Sequence, residues 1–176
     1  MSVHDIVVSP GGARFAGRKF ACTIGRGGVT TDKREGDMAT PVGTHRILGM
    51  FYRPDRLRGA RLPRWAQPIG LRDLWSDDVA DPDYNHLVRA PHPFSHETMR
   101  RADPLYDLVL MTDWNWPDAV QGRGSAIFLH RWRRVGYPTA GCVAFAPADL
   151  LWIAARLRLG ARLVVAPSIG PRPRQP

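Results

Sequence analysis

The chain has 176 residues and is 44% hydrophobic, which suits one domain with its own core, since at this length roughly two thirds of the unfolded surface is buried on folding. Two cysteines exclude a disulfide framework, and no C-x-x-C spacing points to a zinc ribbon. The net charge is +9 and Lys19 and Lys33 are the only lysines among 25 basic residues, a bias toward planar carboxylate or phosphate partners; the arginines are dispersed without a binding motif, so nucleic acid is not an expected partner.

The N-terminal MSVHDIVVSPGG lacks a cationic start followed by a long apolar stretch, so no secretory signal is expected. No apolar run reaches the length of a membrane span, so membrane insertion is not expected. Short apolar alternation predicts strands at His4 to Val8, Lys19 to Ile24, Thr44 to Phe51, Leu87 to Ala90, Tyr106 to Met111, Ser125 to His130, Cys142 to Ala146 and Ala161 to Ala166. Turn residues bound each run, and a mostly antiparallel arrangement is expected. A turn-rich stretch from Arg53 to Pro82 reads as loop, and Ser95 to Ala102 as a short helix capped by Ser95. Pro147 to Leu159 predicts a second helix, with a first-turn proline, an apolar stripe of Leu150, Leu151, Ala154 and Leu157, and Gly160 as its stop. The expected fold class is mostly β (α+β minor), a single sandwich-like domain over residues 1–169, with residues 170–176, GPRPRQP, as a disordered tail.

HRWRRVGYPTAGCV, His130 to Val143, carries the chemistry. A free thiol has a pKa near 8.5, so a nucleophilic cysteine needs a base, a cation or a dipole beside it. His130 closes one predicted strand and Cys142 opens the next. If the two pair antiparallel, directly opposed side chains have Cβ atoms about 4.5 to 5.5 Å apart, which brings imidazole to sulfur. Gly141 frees the backbone before the cysteine, and amides around Ala140, Gly141 and Cys142 could donate to an oxyanion. The alternative is an inert buried thiol after a basic loop, which is how Cys22, alternating with Phe20 and Ile24, reads. Trp132 and Tyr137 flank the pair and could wall a substrate groove. His92 and His96 have a helical metal-pair spacing, but Pro91 and Pro93 disfavour a helix there; Asp77, Asp78, Asp81 and Asp83 lack the glycine of a calcium loop. Neither group predicts a metal.

GSAIFLHRW and PTAGCVAF resemble the catalytic signature of the YkuD-type L,D-transpeptidases, in which a histidine ends one strand and a Ser/Thr-x-Gly-Cys element carries the nucleophile. KREGDMATPVGTHRI (Lys33 to Ile47), DPDYNHLV (Asp81 to Val88) and DWN (Asp113 to Asn115) are similar to further elements of that family, in the expected order. The resemblance implies a catalytic-domain β-sandwich with Cys142 as nucleophile, His130 as base, Gly141 with the Cys142 amide at the oxyanion, and Thr139 as the motif hydroxyl. Substrate contacts are then expected from Thr139, Tyr84, Asn85, His86, Arg131, Trp132 and Tyr137, with Ser125 in support behind the base. The implied partners are peptidoglycan stem peptides, donor and acceptor, with no cofactor, in the periplasm or cell envelope, and a carbapenem would acylate the cysteine. Two positions depart from the pattern: Ala140 where many members have histidine, and Ala144 where arginine is frequent, a loss that Arg131, Arg133 or Arg134 could make good. An L,D-carboxypeptidase follows if water replaces the acceptor amine. A basic, non-catalytic module for an anionic polymer follows if the thiol is inert.

Overall fold

The computed structural model describes residues 3–167, so the predicted tail lies outside the described residues. The strands, in chain order, are β1 (Ile6–Ser9), β2 (Gly12–Phe15), β3 (Arg18–Phe20), β4 (Cys22–Thr23), β5 (Val29–Thr30), β6 (Thr40–Pro41), β7 (Gly43–Tyr52), β8 (Gln67–Pro68), β9 (Asp73–Ser76), β10 (Leu87–Arg89), β11 (His96–Thr98), β12 (Leu108–Thr112), β13 (Phe128–Arg131), β14 (Val143–Phe145) and β15 (Arg162–Val165); one helix, α1 (Pro147–Ala154), precedes β15.

The main sheet runs β3-β2-β1-β15-β7-β12-β13-β14-β4, with β8 on the flank of β7. Its two ends are consecutive in sequence. The single strand predicted over Lys19 to Ile24 breaks at Ala21: its first half pairs with β2 and its second with β14, so one corner brings the sheet almost round into a barrel. A two-residue turn at Ala16 and Gly17, φ 48° and 77°, joins β2 to β3, the left-handed geometry that tight hairpins require.

Both faces of the sheet are buried, and strand alternation decides which side chain goes where. Leu108 and Leu110 of β12, Leu129 of β13, and Val143 and Phe145 of β14 join Leu150, Ile153 and Ala154 of α1 in one core. Val109 and Met111 of β12 and Phe128 of β13 face the other way, against Trp75, Met99 and Tyr106. That second core is covered by a small sheet, β10-β9-β11, in which the sequence predicts the strand at Leu87 to Ala90 but loop over β9 and helix over β11. The helix expected over Ser95 to Ala102 does not form. Ser95 binds the Asp77 carboxylate through its hydroxyl at 2.7 Å instead of capping, and His96–Thr98 pairs with β9. Helix α1 is also shorter than expected, ending at Ala154.

The antiparallel reading holds for most pairs but fails at the decisive one. Strands β13 and β14 are parallel, with Leu129 opposite Val143 and His130 opposite Ala144. Trp132 to Cys142 is therefore a crossover rather than a hairpin, and parallel neighbours need a connection of about that length.

Ile153 has no exposed surface where α1 meets the sheet. Ile153→Ala is expected to lower unfolding free energy by about 2 to 5 kcal/mol, measured by urea denaturation, through lost transfer energy and the cavity left behind.

Candidate active site

Parallel pairing changes how cysteine and histidine meet. One step back along the register sets Cys142 beside Phe128, so His130 is its diagonal neighbour. Alternation puts Phe128, His130, Cys142 and Ala144 on one face. Diagonal neighbours lie about 7 to 8 Å apart at the backbone, within reach of an imidazole. The sulfur leans toward β13: the Phe128 amide donates to Sγ at 3.4 Å and the thiol reaches the Ala126 carbonyl at 3.7 Å. Among the described residues no hydrogen bond joins Sγ to the ring.

His130 is buried, 7% exposed, with Nδ1 2.8 Å from the Arg131 carbonyl oxygen. A carbonyl only accepts, so Nδ1 carries the proton and Nε2 holds the free lone pair of a base. Burial pushes the His130 pKa down to about 4. Burial also pushes the Cys142 thiol up to about 12, with the Glu97 charge adding to the rise and the Phe128 amide and Lys33 opposing it. Both shifts favour the uncharged form of their group. The resting pair is therefore neutral thiol and neutral imidazole. Cys142 nonetheless keeps partial exposure. Cys22, also partly buried against the first core, is pushed up to about 11 by burial.

The nucleophile loop is fixed by residues distant in sequence. Thr139 donates its N–H to the Ile24 carbonyl at 3.0 Å and accepts at its own carbonyl from Arg26 at 2.9 Å. Its hydroxyl accepts from the Gly141 amide at 3.1 Å and donates to the Cys142 carbonyl at 2.6 Å. Thr139 thus shapes the turn, and the Gly141 amide is engaged there rather than free toward an oxyanion. Gly141 has φ 143°, and a Cβ at this position would sit 3.0 Å from the Ala39 carbonyl oxygen, so glycine is required on both counts. Thr40, of the Thr-Pro-x-Gly element, is the clasp: its buried hydroxyl donates to the Gly141 carbonyl at 2.6 Å and accepts from the Gly25 amide at 2.9 Å.

The residues expected to touch substrate divide into braces and walls. Asn85 is fully buried. It accepts from Trp75 Nε1 at 3.0 Å and donates to the carbonyls of Trp114 at 3.2 Å and Asn115 at 2.5 Å, so the Tyr-Asn element ties the small sheet to the DWN turn. Tyr84, 2% exposed, donates to Glu35 Oε2, which also accepts from the Ser125 amide at 2.6 Å. These contacts make Tyr84 and Asn85 internal braces in this structure. His86 packs near Trp116 with Nδ1 2.9 Å from the Tyr84 carbonyl. Arg131 is committed to Asp107 at 3.1 Å. Arg133 and Arg134 are exposed and stack on Tyr137, with guanidinium carbons 5.9 and 4.9 Å from the ring centre. Trp132 and Pro138 help to line a cavity of about 680 Å³ with Ile24, Gly25 and Arg26; neither Cys142 nor His130 lines it.

His92 turns to Asp81 at 2.6 Å, and among the described residues no group of three metal-ligating side chains forms. Sequence reasoning misses Glu35, Thr40, Glu97 and Tyr106. Thr40 and Glu35 lie inside the Lys33 to Ile47 element, whereas Glu97 and Tyr106 carry no local signal.

The family model for the L,D-transpeptidase catalytic domain, YkuD, matches residues 6–165. The chain belongs to that family. Among solved structures it is similar to an L,D-transpeptidase from Mycobacterium smegmatis, at 16% identity and a TM-score of 0.41, over 91% of this chain and 57% of that one. The chain thus spans little more than half of that protein. No curated protein matches. No helix among the described residues is long and apolar enough to cross a membrane.

Two outcomes follow. Thr40→Val strands a buried amide and a buried carbonyl, and is expected to cost about 2 to 4 kcal/mol in urea unfolding. For His130, the unfolded ring titrates near 6.5 and the folded ring near 4, so the stability of keeping it neutral is present above about pH 6.5 and is lost as pH falls through 4. Between those limits the wild type should lose on the order of 3 kcal/mol more than His130→Gln, read from urea midpoints at each pH.

Proposed function

We propose that this YkuD domain is a peptidoglycan L,D-transpeptidase that transfers an acyl group through Cys142. The reading rests on one observation above others: within a family match over residues 6–165, Cys142 and His130 stand on one face of adjoining strands, with the free Nε2 lone pair on the histidine.

The sulfur attacks the carbonyl of the diaminopimelate residue at position three of a tetrapeptide stem. Because the resting pair is neutral, His130 Nε2 takes the thiol proton as the carbon–sulfur bond forms. The Cys142 amide faces the developing oxyanion. The carbon–nitrogen bond to D-alanine then breaks, and the proton on His130 passes to the departing amine. An amine of a second stem attacks the thioester, gives its proton to His130 and releases the thiol, closing a crosslink. With Ala144 buried in the usual arginine position and Arg131 held by Asp107, the exposed guanidinium groups of Arg133 and Arg134 are the cations left in that loop for a substrate carboxylate. The substrate places the working enzyme in the periplasm or cell envelope.

Purified tetrapeptide muropeptides incubated with the protein should yield crosslinked dimers and free D-alanine by mass spectrometry, with none from Cys142→Ala. Trimmed monomers without dimers would reassign the protein as an L,D-carboxypeptidase. Identical profiles for wild type and Cys142→Ala would sink the enzyme reading in favour of a basic binding module. A carbapenem should add its mass to the Cys142 peptide and not to the Cys22 peptide.

A further inference from the structure

Behind the sulfur and the imidazole lies a pair that the mechanism does not use. Tyr106, 6% exposed, packs edge-on against the His130 ring, centroids 5.5 Å apart at 67°, and against Phe128 at 5.9 Å and 87°. Its phenol donates to Glu97 Oε2. Glu97 sits on β11 opposite Trp75, whose ring meets Phe128 edge-on at 5.1 Å. Arg101 lies over the outer face of Tyr106, 5.2 Å from its centre, held by Asp103 at 2.8 Å. One hydrogen bond thus links the small sheet to the aromatic ring on which the histidine rests.

We infer that Glu97 and Tyr106 are positioning residues of the cysteine site: Tyr106 braces the His130 ring, and Glu97 fixes Tyr106 across the gap between the two sheets. The inference takes the site to be the cysteine acyl-transfer centre proposed above. Removing the tie frees the phenol from the inter-sheet gap, lets water in beside the imidazole, and loosens the ring that must deliver Nε2 to sulfur.

The same carboxylate has an electrostatic effect. Glu97 acts on Cys142 against the thiolate, and Lys33, itself paired with Asp37 at 2.6 Å, acts in its favour. Asp77, Glu35 and Arg101 are the other charged groups acting on Glu97, and Arg101 and Asp103 those acting on His130. Burial raises the Glu97 pKa as well, so its carboxylate opposes the Cys142 thiolate only where it is ionised.

Glu97→Gln and Glu97→Ala separate the two effects. Glutamine keeps an acceptor for the phenol but drops the charge; alanine drops both. Iodoacetamide labelling of the Cys142 peptide between pH 7 and 10, with the Cys22 peptide as internal control, should run roughly three- to tenfold faster at pH 8 in both variants, because more thiolate is present. The His130 titration followed by NMR should stay near 4 in Glu97→Gln and climb toward 6.5 in Glu97→Ala. Circular dichroism checks that each variant is folded. A wild-type labelling profile in Glu97→Gln overturns the electrostatic half, and an unmoved His130 titration in Glu97→Ala overturns the positioning half. Neither readout needs turnover, so failure of the muropeptide assay would remove the acyl-transfer reading while both could still be read.

Discussion

The parallel pairing of β13 and β14 is the constraint on which the site depends. An antiparallel hairpin would leave its loop exposed beyond the strand ends, free to move with its own turn. A crossover must instead pass along another part of the molecule, and this one runs against Ile24 to Arg26, bonded on both sides of Thr139. Cys142 thus enters β14 from a segment held by long-range contacts. Its side chain lands on the same face as Phe128 and His130, and the opposite face belongs wholly to the α1 core. Strand alternation alone divides the face that carries Cys142 and His130 from the packing face.

Around that division, the motif residues are chiefly joints between segments. Thr40 joins the Gly25 backbone to Gly141, Glu35 joins Tyr84 to Ser125, and Asn85 joins β9 to the DWN turn. Thr40 and Asn85 are buried and satisfy more than one partner each, so removing either strands polar groups where water cannot replace them; Glu35 makes its joint at the exposed rim. A short polar motif repeated through a family is easily taken for a substrate contact. Tyr84 and Asn85 are buried and turn their polar atoms to partners within the protein.

The sequence was legible where the information is local. Alternation located the strands at both walls of the site, and the cysteine and its histidine followed from residue type and order. The direction of pairing was not legible, because Gly136 and Pro138 permit a hairpin and a crossover equally, and the deciding contacts at Ile24 and Arg26 lie more than a hundred positions away in the chain. Strand β9 was lost in a turn-rich stretch because Asp73–Ser76 is buried throughout and shows no alternation to detect. The helix expected after Ser95 failed for a related reason: local cap chemistry competes with pairing to β9, and the pairing also buries Met99 in the second core. Glu97 and Tyr106 were invisible, since a carboxylate and a phenol nine residues apart mean nothing until the small sheet folds over β12.

In a chain with a charge of +9, the strongest charged influence on Cys142 is an acid, Glu97, with Lys33 opposing it. If thiolate stability alone governed the site, cations would be the economical neighbours, as at sites that hold a preformed thiolate–imidazolium pair. Burial of His130 and Cys142 together argues for the opposite design. Each group disfavours its own charged form, so on the acyl-transfer proposal the proton moves as the sulfur meets a substrate carbonyl. Precise ring placement then matters more than ionisation, because the reaction must draw its driving force from geometry at the moment of attack. A clasped loop on one side of the sulfur and a braced imidazole on the other are what that requirement demands.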